Sequence, residues 1–222
     1  MSELFAFKQL QRTLDNKRII KQSATLTAGQ NLAVQGPSGS GKSTLLKLLA
    51  RLLPAENGEV FLAGRSWTEY SPQEWRVKVH YFPQQPVLFA GSVLNNLQMP
   101  FTLKQVQQSC SFDLKQAYTM LDKLGLSRSI MEQEARTLSG GEAFRLALIR
   151  SLLIQPMVLL LDEPTAHLDE DSAVFMLNLL NCWVGAKNER AIIIVSHSAD
   201  DLKALNNISR LYLSNLEDDK HE

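Results

Sequence analysis

The stretch NLAVQGPSGSGKSTLLKLL, residues 31–49, contains the pattern G-x-x-x-x-G-K-S/T between Gly36 and Ser43. Residues 31–35, with an apolar centre, predict a strand before this pattern, and leucines at intervals of three and four residues predict a helix after it, ending near Pro54. Glycines in such a loop let backbone N–H groups turn toward an anion, and the lysine reaches its terminal phosphates. The stretch therefore predicts a phosphate-binding loop.

We expect this loop to hold the β-phosphate of a nucleotide at the N-terminus of the helix, where unpaired N–H groups and the helix dipole favour negative charge. In that arrangement Lys42 bridges the β and γ oxygens, and the Ser43 hydroxyl ligates Mg²⁺. The alternative is a glycine-rich turn that binds nothing, which the flanking strand and helix disfavour. The candidate nucleotide-binding residues of the loop are Gly36, Pro37, Ser38, Gly39, Ser40, Gly41, Lys42, Ser43 and Thr44.

A second segment, VLLLDEPTAHLD at residues 158–169, combines a hydrophobic run with two carboxylates. The run predicts a buried strand that delivers Asp162 and Glu163 to its carboxyl end, the edge where open α/β sheets bind ligands. We expect Asp162 to hold the Mg²⁺ shell and Glu163 to act as the general base for the attacking water. An acidic pair after a strand can also be a helix cap or turn, but the phosphate-binding loop favours the site.

A third segment, LSGGE at residues 138–142, places small residues before a predicted helix. Ser139, Gly140 and Gly141 could present a hydroxyl and backbone N–H groups to an anion. Ser139 and Glu142 also fit a capping box, the pattern of an ordinary helix start, and both interpretations can hold together.

The order of elements predicts one α/β domain, residues 1–222, with a catalytic core at 1–85 and 157–222. Between residues 86 and 156 strand patterns are lacking, which predicts an inserted helical lobe that carries LSGGE. Helical periodicity in this lobe covers residues 103–108, 114–124 and 142–153. Alternation of strands with helices elsewhere predicts a mostly parallel sheet with helices on both faces.

Charge, cysteine content and hydropathy restrict the function. The chain has 23 basic and 23 acidic residues, so no overall field attracts nucleic acid or an anionic membrane. Cys110 and Cys182 lie far apart, as expected for reduced thiols of a cytosolic protein. We expect no secretory signal at the start and no membrane-crossing helix, since the most apolar runs have only the length of strands.

LSGGE resembles the LSGGQ signature of ABC ATPases, the nucleotide-binding subunits of ATP-binding-cassette transporters, and the other segments occur in the family's order. Gln84 in YFPQQP resembles the family's Q-loop glutamine, Asp169 in TAHLD its D-loop aspartate, and His197 in IIIVSHS its switch histidine. The resemblance covers nearly the whole chain. It implies a P-loop NTPase core with N-terminal antiparallel strands, and the cofactors ATP and Mg²⁺.

The resemblance further implies that two copies hold two ATP molecules head to tail. Each ATP would lie between the phosphate-binding loop of one copy and Ser139, Gly140, Gly141 and Glu142 of the other, so hydrolysis would require a dimer. Gln84 would contact Mg²⁺ and the attacking water, His197 the γ-phosphate, and Asp169 the partner copy. The expected further partner is a separate transmembrane permease, with the chain peripheral on the cytoplasmic face of the cell membrane and no nucleic acid bound.

The chain departs from the family pattern at two places. Glu142 replaces the usual glutamine, a change that we expect to be tolerated. The aromatic ring that usually stacks on adenine is lacking near Thr13 or Leu14. We therefore expect weak base selectivity, with GTP accepted nearly as well as ATP in competition binding.

Two other function classes fit these motifs less well than a transport ATPase. A non-transport ABC ATPase acting in DNA repair or translation would need a long coiled-coil insertion or two cassettes, and a P-loop kinase or GTPase would not carry LSGGE. Among transport ATPases, residues 81–101 resemble stand-alone ATP-binding subunits of the iron-export type, although similar sequences occur in other small cassettes.

Overall fold

The computed structural model describes residues 3–15, 18–166, 168–187 and 189–213; the other residues of the predicted domain lie outside these ranges. The described strands are β1 (Glu3–Thr13), β2 (Ile19–Thr27), β3 (Asn31–Gln35), β4 (Asn57–Leu62), β5 (Arg65–Ser66), β6 (Val79–Phe82), β7 (Val158–Asp162), β8 (Ala191–Val195) and β9 (Ile208–Tyr212). The described α-helices are α1 (Lys42–Leu49), α2 (Pro72–Lys78), α3 (Val93–Gln98), α4 (Lys104–Gln107), α5 (Leu114–Lys123), α6 (Gly140–Leu153), α7 (Glu170–Gly185) and α8 (Ala199–Ala204). Short 3-10 helices lie at Trp67–Glu69, Met99–Thr102, Arg128–Glu132 and Ala135–Thr137.

A parallel sheet has the strand order β6-β7-β8-β3-β9. All residues of β7 and β8 are buried, because helices cover both faces of the sheet. Alternate side chains enter opposite layers: Ile193 belongs to the cluster that contains the leucines of α1, and Ile192 to the cluster that contains those of α6 and α7. The predicted mostly parallel α/β sheet is confirmed.

An antiparallel sheet in the order β2-β1-β4-β5 lies on the α1 side of the molecule. Trp75 of α2 is fully buried in the same cluster, and its indole N–H donates to the Leu49 carbonyl at 2.7 Å. This bond satisfies a carbonyl at the end of α1 that has no partner within the helix. The predicted N-terminal antiparallel strands are confirmed.

Some helix predictions differ from the structure. Helix α1 ends at Leu49 and not near Pro54, because Arg51 adopts the left-handed region with φ 54°. The Arg51 guanidinium then donates to the carbonyls of Trp67 and Tyr70, both at 2.8 Å. The sequence patterns also did not predict α3 and α8, which have six residues each.

Candidate functional site

Four adjacent parallel strands end at one edge of the sheet, and each is followed by predicted site residues. Strand β3 leads into the loop 36–44, β7 ends at Asp162 and is followed by Glu163, Gln84 lies two residues after β6, and His197 lies two residues after β8. Because parallel strands present their carboxyl ends together, residues distant in sequence converge here. This edge is the candidate nucleotide site.

The path of the loop requires glycine at two positions. Gly36 has φ 147°, and a Cβ there would lie 2.5 Å from the Leu213 carbonyl oxygen. Gly41 has φ 94°, and its Cβ would lie 2.4 Å from Ile20 Cδ1. Either substitution would push the loop away from the backbone or side chain behind it, so the curvature that exposes N–H groups depends on both glycines.

Lys42 lies inside the curve of this loop and is only 6% exposed. Its Nζ donates to the carbonyl oxygens of Gly36 at 3.0 Å and Pro37 at 2.9 Å. The ammonium group is therefore held at the N-terminus of α1, where the helix dipole also favours an anion. Ser40, also in the loop, is buried, and its Oγ has no hydrogen-bond partner among the described residues.

Asp162 is nearly buried, with 4% of its surface exposed, and both of its carboxylate oxygens accept hydrogen bonds. The Ser43 hydroxyl donates to Oδ1 at 2.9 Å, and the Tyr81 hydroxyl donates to Oδ2 at 2.8 Å. Burial, and then the bond to Asp162, raise the pKa of Tyr81 well above its usual range. Tyr81 therefore stays protonated and remains a donor at neutral pH.

The oxygen donors at this edge fit Mg²⁺. This ion is usually held by one or two carboxylates, with phosphate oxygens and waters as the other ligands. Ser43 and Asp162 are hydrogen-bonded to each other, and Gln84 follows β6 at the same strand edge. Within the described ranges there is no group of three His, Cys, Asp or Glu that could form an all-protein metal site. The donor set thus suits a magnesium ion that arrives with a nucleotide.

Glu163 is held between two other predicted residues. Its Oε2 accepts from Gln84 Nε2 at 3.0 Å, and its Oε1 lies 3.3 Å from His197 Nε2. Its backbone adopts φ 48°, a strained region for a residue with a side chain, and its N–H donates to the Val195 carbonyl at 3.0 Å. The structure therefore brings the side chains of Gln84 and His197 to the Glu163 carboxylate.

An open cavity of about 600 Å³ runs along the loop. Glu163 and His197 line it, and so do residues 12–15 and Leu53. Of the predicted residues, its lining contains Ser38, Gly39, Gly41, Lys42, Ser43, Thr44, Glu163 and His197. The sequence places the position that usually carries the base-stacking aromatic ring near Thr13 or Leu14. Neither residue is aromatic, and both line the cavity.

The signature segment lies apart from this cavity. Ser139 is exposed at the N-terminus of α6, and its N–H and hydroxyl donate to Glu142 Oε2 at 2.9 and 2.7 Å. The Glu142 N–H donates back to Ser139 Oγ at 3.4 Å, which confirms the predicted capping box. Hydrogen bonds from Ser139 lower the pKa of Glu142. The residues that line the cavity include none from 139–142.

Asp169 is likewise exposed and outside the lining of the cavity. It caps α7, accepting from the Ser172 N–H at 2.9 Å and from its hydroxyl at 2.8 Å. These bonds lower the pKa of Asp169. Arg145 of α6 donates to the Ser172 hydroxyl, so this cap is connected to the helix that begins at the signature.

Sequence reasoning missed the side chains that support the site. Tyr81 was one, and the buried Asp201 is another, accepting from Ser196 Oγ at 2.8 Å and from the Thr165 hydroxyl. Through these two bonds Asp201 connects Thr165, which follows Glu163, to Ser196, which precedes His197. No motif marked these residues, because Tyr81 and Asp201 each bond to a residue distant in sequence, Asp162 and Thr165 respectively.

The fold and this strand-edge site define a nucleotide-dependent α/β ATPase. Residues 20–166 match the family model described as ABC transporter, so the chain belongs to the ABC transporter family as an ATP-binding cassette and is an ABC ATPase. A relative from Escherichia coli (strain K12), named Probable iron export ATP-binding protein FetA, is 35% identical over 188 residues. The match covers 85% of this chain and 81% of that protein. Some other relatives are much longer, and the chain spans 13% to 32% of them.

Solved structures share the fold. The ATP-binding cassette MJ0796, solved as a dimer in a post-hydrolysis state with ADP and Pi, superposes with a TM-score of 0.78 at 23% identity, over 95% of this chain and 94% of that one. CbiO1 from Clostridium perfringens, part of the ABC transporter complex cbiONQ, gives a TM-score of 0.77 at 22% identity, over 95% and 85%. Cassettes of this fold thus form dimers and transporter complexes.

Proposed function

We propose that this chain hydrolyses ATP to energise a separate membrane permease, and that two copies close head to tail around two ATP molecules. The observation that carries the proposal is that the site is divided within one chain. The loop, Asp162, Glu163 and His197 share one strand edge, whereas Ser139 lies elsewhere with its hydroxyl exposed. A second copy is the simplest source of a signature for the same ATP.

Each predicted residue has a role in this proposal. Lys42 and the loop N–H groups hold the β and γ phosphates, while Ser43, Asp162 and Gln84 hold Mg²⁺, which neutralises phosphate charge when bound. Glu163 orients the attacking water and accepts its proton. His197 holds the γ-phosphate. Asp169 contacts the partner copy, where its position at the start of α7 leaves the carboxylate accessible.

The permease is proposed to dock in an apolar groove beside Gln84. This groove has a volume of about 500 Å³ and lies between α2, β6 and the helical segment 86–156. Val87, Phe89 and Leu103 line it and are 65%, 43% and 54% exposed, so the groove carries several exposed apolar side chains together, as interaction sites do. A cytoplasmic helix of the permease would cover them and contact the chain next to the Q-loop.

This docking would hold the chain at the cytoplasmic face of the cell membrane. Across the described ranges, no helix is both long enough and apolar enough to span a bilayer. The name of the Escherichia coli relative further supports a metal ion, iron, as the cargo that the permease exports. Iron efflux from cells with and without this chain, measured with a radioactive tracer, tests that part; equal efflux would contradict it.

The dimer is tested by the dependence of ATPase turnover on protein concentration. We expect turnover per subunit to fall on dilution, and Ser139→Arg to abolish it, because a bulky cation would block closure. Ser127→Arg is the matched control, since Ser127 also caps a short helix at the surface of the same lobe. Constant turnover on dilution, together with an active Ser139→Arg variant, would contradict the shared site.

Glu163→Gln tests the catalytic role separately. The variant should still bind ATP but hydrolyse it far more slowly, so the closed dimer should accumulate in light scattering. Lys42→Ala should lose ATP binding or turnover, because the loop then lacks its cation. Wild-type turnover by Glu163→Gln would remove Glu163 as the general base.

A further inference from the structure

We infer that Arg12 supplies the surface on which the nucleotide base stacks, in place of the aromatic ring that this chain lacks. The inference rests on nucleotide binding at the site described above and adds a residue that determines base selectivity. It follows from the shape of the cavity, from the contacts that hold Arg12, and from the chemistry of the guanidinium group.

The position of the base follows from the position of the phosphates. In the proposed function the loop 36–44 holds the phosphates, and Glu163 and His197, which also line the cavity, act at the γ-phosphate. The base must therefore lie toward the remaining lining, which consists of residues 12–15 and Leu53. None of these five side chains is aromatic.

Arg12 is the planar side chain in this part of the lining. It is half-buried, and its Nη1 donates to the Pro54 carbonyl oxygen at 2.6 Å. Because the N–H bonds of a guanidinium lie in its plane, the Pro54 carbonyl binds the edge of the group and not a face. Leu14 and Leu53, both half-buried, provide apolar neighbours for a base placed against that plane.

The backbone that carries Arg12 is fixed independently of its side chain. The Thr13 N–H donates to Glu56 Oε1 at 3.0 Å, and the Thr13 hydroxyl donates to Glu56 Oε2 at 2.9 Å. The end of β1 is therefore attached to the turn before β4 whether or not Arg12 is present. A substitution at Arg12 should therefore remove the guanidinium on which the base is proposed to stack and leave the backbone of residues 12–15 in place.

A guanidinium platform accepts any base, because every base has a π face and arginine stacks on such faces through dispersion and cation–π attraction. Lysine has no plane and cannot replace it. The inference thus gives a physical reason for the expectation that GTP binds nearly as well as ATP. It also separates base affinity, which depends on Arg12, from phosphate affinity, which depends on the loop.

The test compares the Mg²⁺ complexes of ATP, GTP and inorganic triphosphate by calorimetry. Arg12→Ala should weaken ATP and GTP binding about 5- to 150-fold, the range for losing one stacked base, and leave triphosphate binding unchanged. Arg12→Tyr should restore nucleotide binding, and Arg12→Lys should not. Arg65→Ala is the control, because Arg65 lies on the same antiparallel sheet, is 58% exposed and does not line the cavity.

Three results would overturn the inference. Equal loss of triphosphate and ATP binding in Arg12→Ala would show that Arg12 contacts the phosphates. Wild-type affinity in Arg12→Lys would show that charge and not the plane matters, and wild-type affinity in Arg12→Ala would exclude any contact with the base. Failure of the unaltered chain to bind ATP would instead contradict the proposed function, and this inference with it.

Discussion

Replacing Tyr81 by phenylalanine should destabilise the nucleotide-free protein through Asp162. The variant loses the 2.8 Å hydrogen bond from the Tyr81 hydroxyl to Asp162 Oδ2. This carboxylate oxygen then lacks its donor, although Asp162 is only 4% exposed. A hydrogen bond to a charged group is worth about 1.5 to 3 kcal/mol. For a chain of this size, a loss of about 2 kcal/mol lowers the melting temperature by roughly 4 to 8 °C.

Magnesium and ATP should reduce this difference. If Asp162 helps to hold Mg²⁺, the bound cation compensates the carboxylate that Tyr81→Phe leaves without its donor. Thermal unfolding of both proteins should therefore converge with MgATP and stay apart with ATP plus a chelator. Tyr118→Phe, on α5 and away from Asp162, is the matched control and should melt like the wild type. A variant that melts with the wild type without ligand, or a difference that MgATP does not narrow, would refute the reasoning.

Three further predictions concern burial and titration. Trp75→Phe should lower the free energy of unfolding in urea by about 2 kcal/mol, because the Leu49 carbonyl loses its buried donor. Burial lowers the pKa of His80 from 6.5 to about 4, so the folded state resists protonation. The contribution of neutral His80 to the free energy of unfolding should be fully present above pH 6.5. It should fall by no more than about 3 kcal/mol as the pH drops toward 4. Urea midpoints across this interval should change less in His80→Gln; an unchanged slope would exclude His80 as the cause. Hydrogen bonds from Ser139 lower the pKa of Glu142, and the ionised carboxylate therefore stabilises the folded state. This stabilisation is present above the ordinary pKa of 4.5 and is lost as the pH falls through the lower pKa of the folded state. Glu142→Gln should remove this acid-dependent part of the unfolding curve, and an identical acid limb in both proteins would argue against it.

Local sequence patterns predicted the elements that carry the site. Strand β3, the loop 36–44 and the start of α1 are contiguous, so their residues alone show a strand, a turn that needs glycine and a leucine-rich helix. Strand β3 was predicted with its observed bounds, because residues 31–35 have the length of a strand and lead directly into the glycine-rich loop. The end of α1 was not predictable in this way, since Arg51 finds its partners on Trp67 and Tyr70.

By itself the sequence determined the class of the protein: a phosphate-binding loop after a strand, carboxylates at the end of another strand, and a glycine-rich helix start. Only the tertiary structure decided which side chains support them. Asp162 meets Ser43 and Tyr81 across separations of 119 and 81 residues, because the strand order and the register of β6 and β7 bring them together. Arg12 meets Pro54 in the same way, across 42 residues. Such contacts depend on which strands become neighbours, and that outcome is set by burial of the whole core and not by any local pattern.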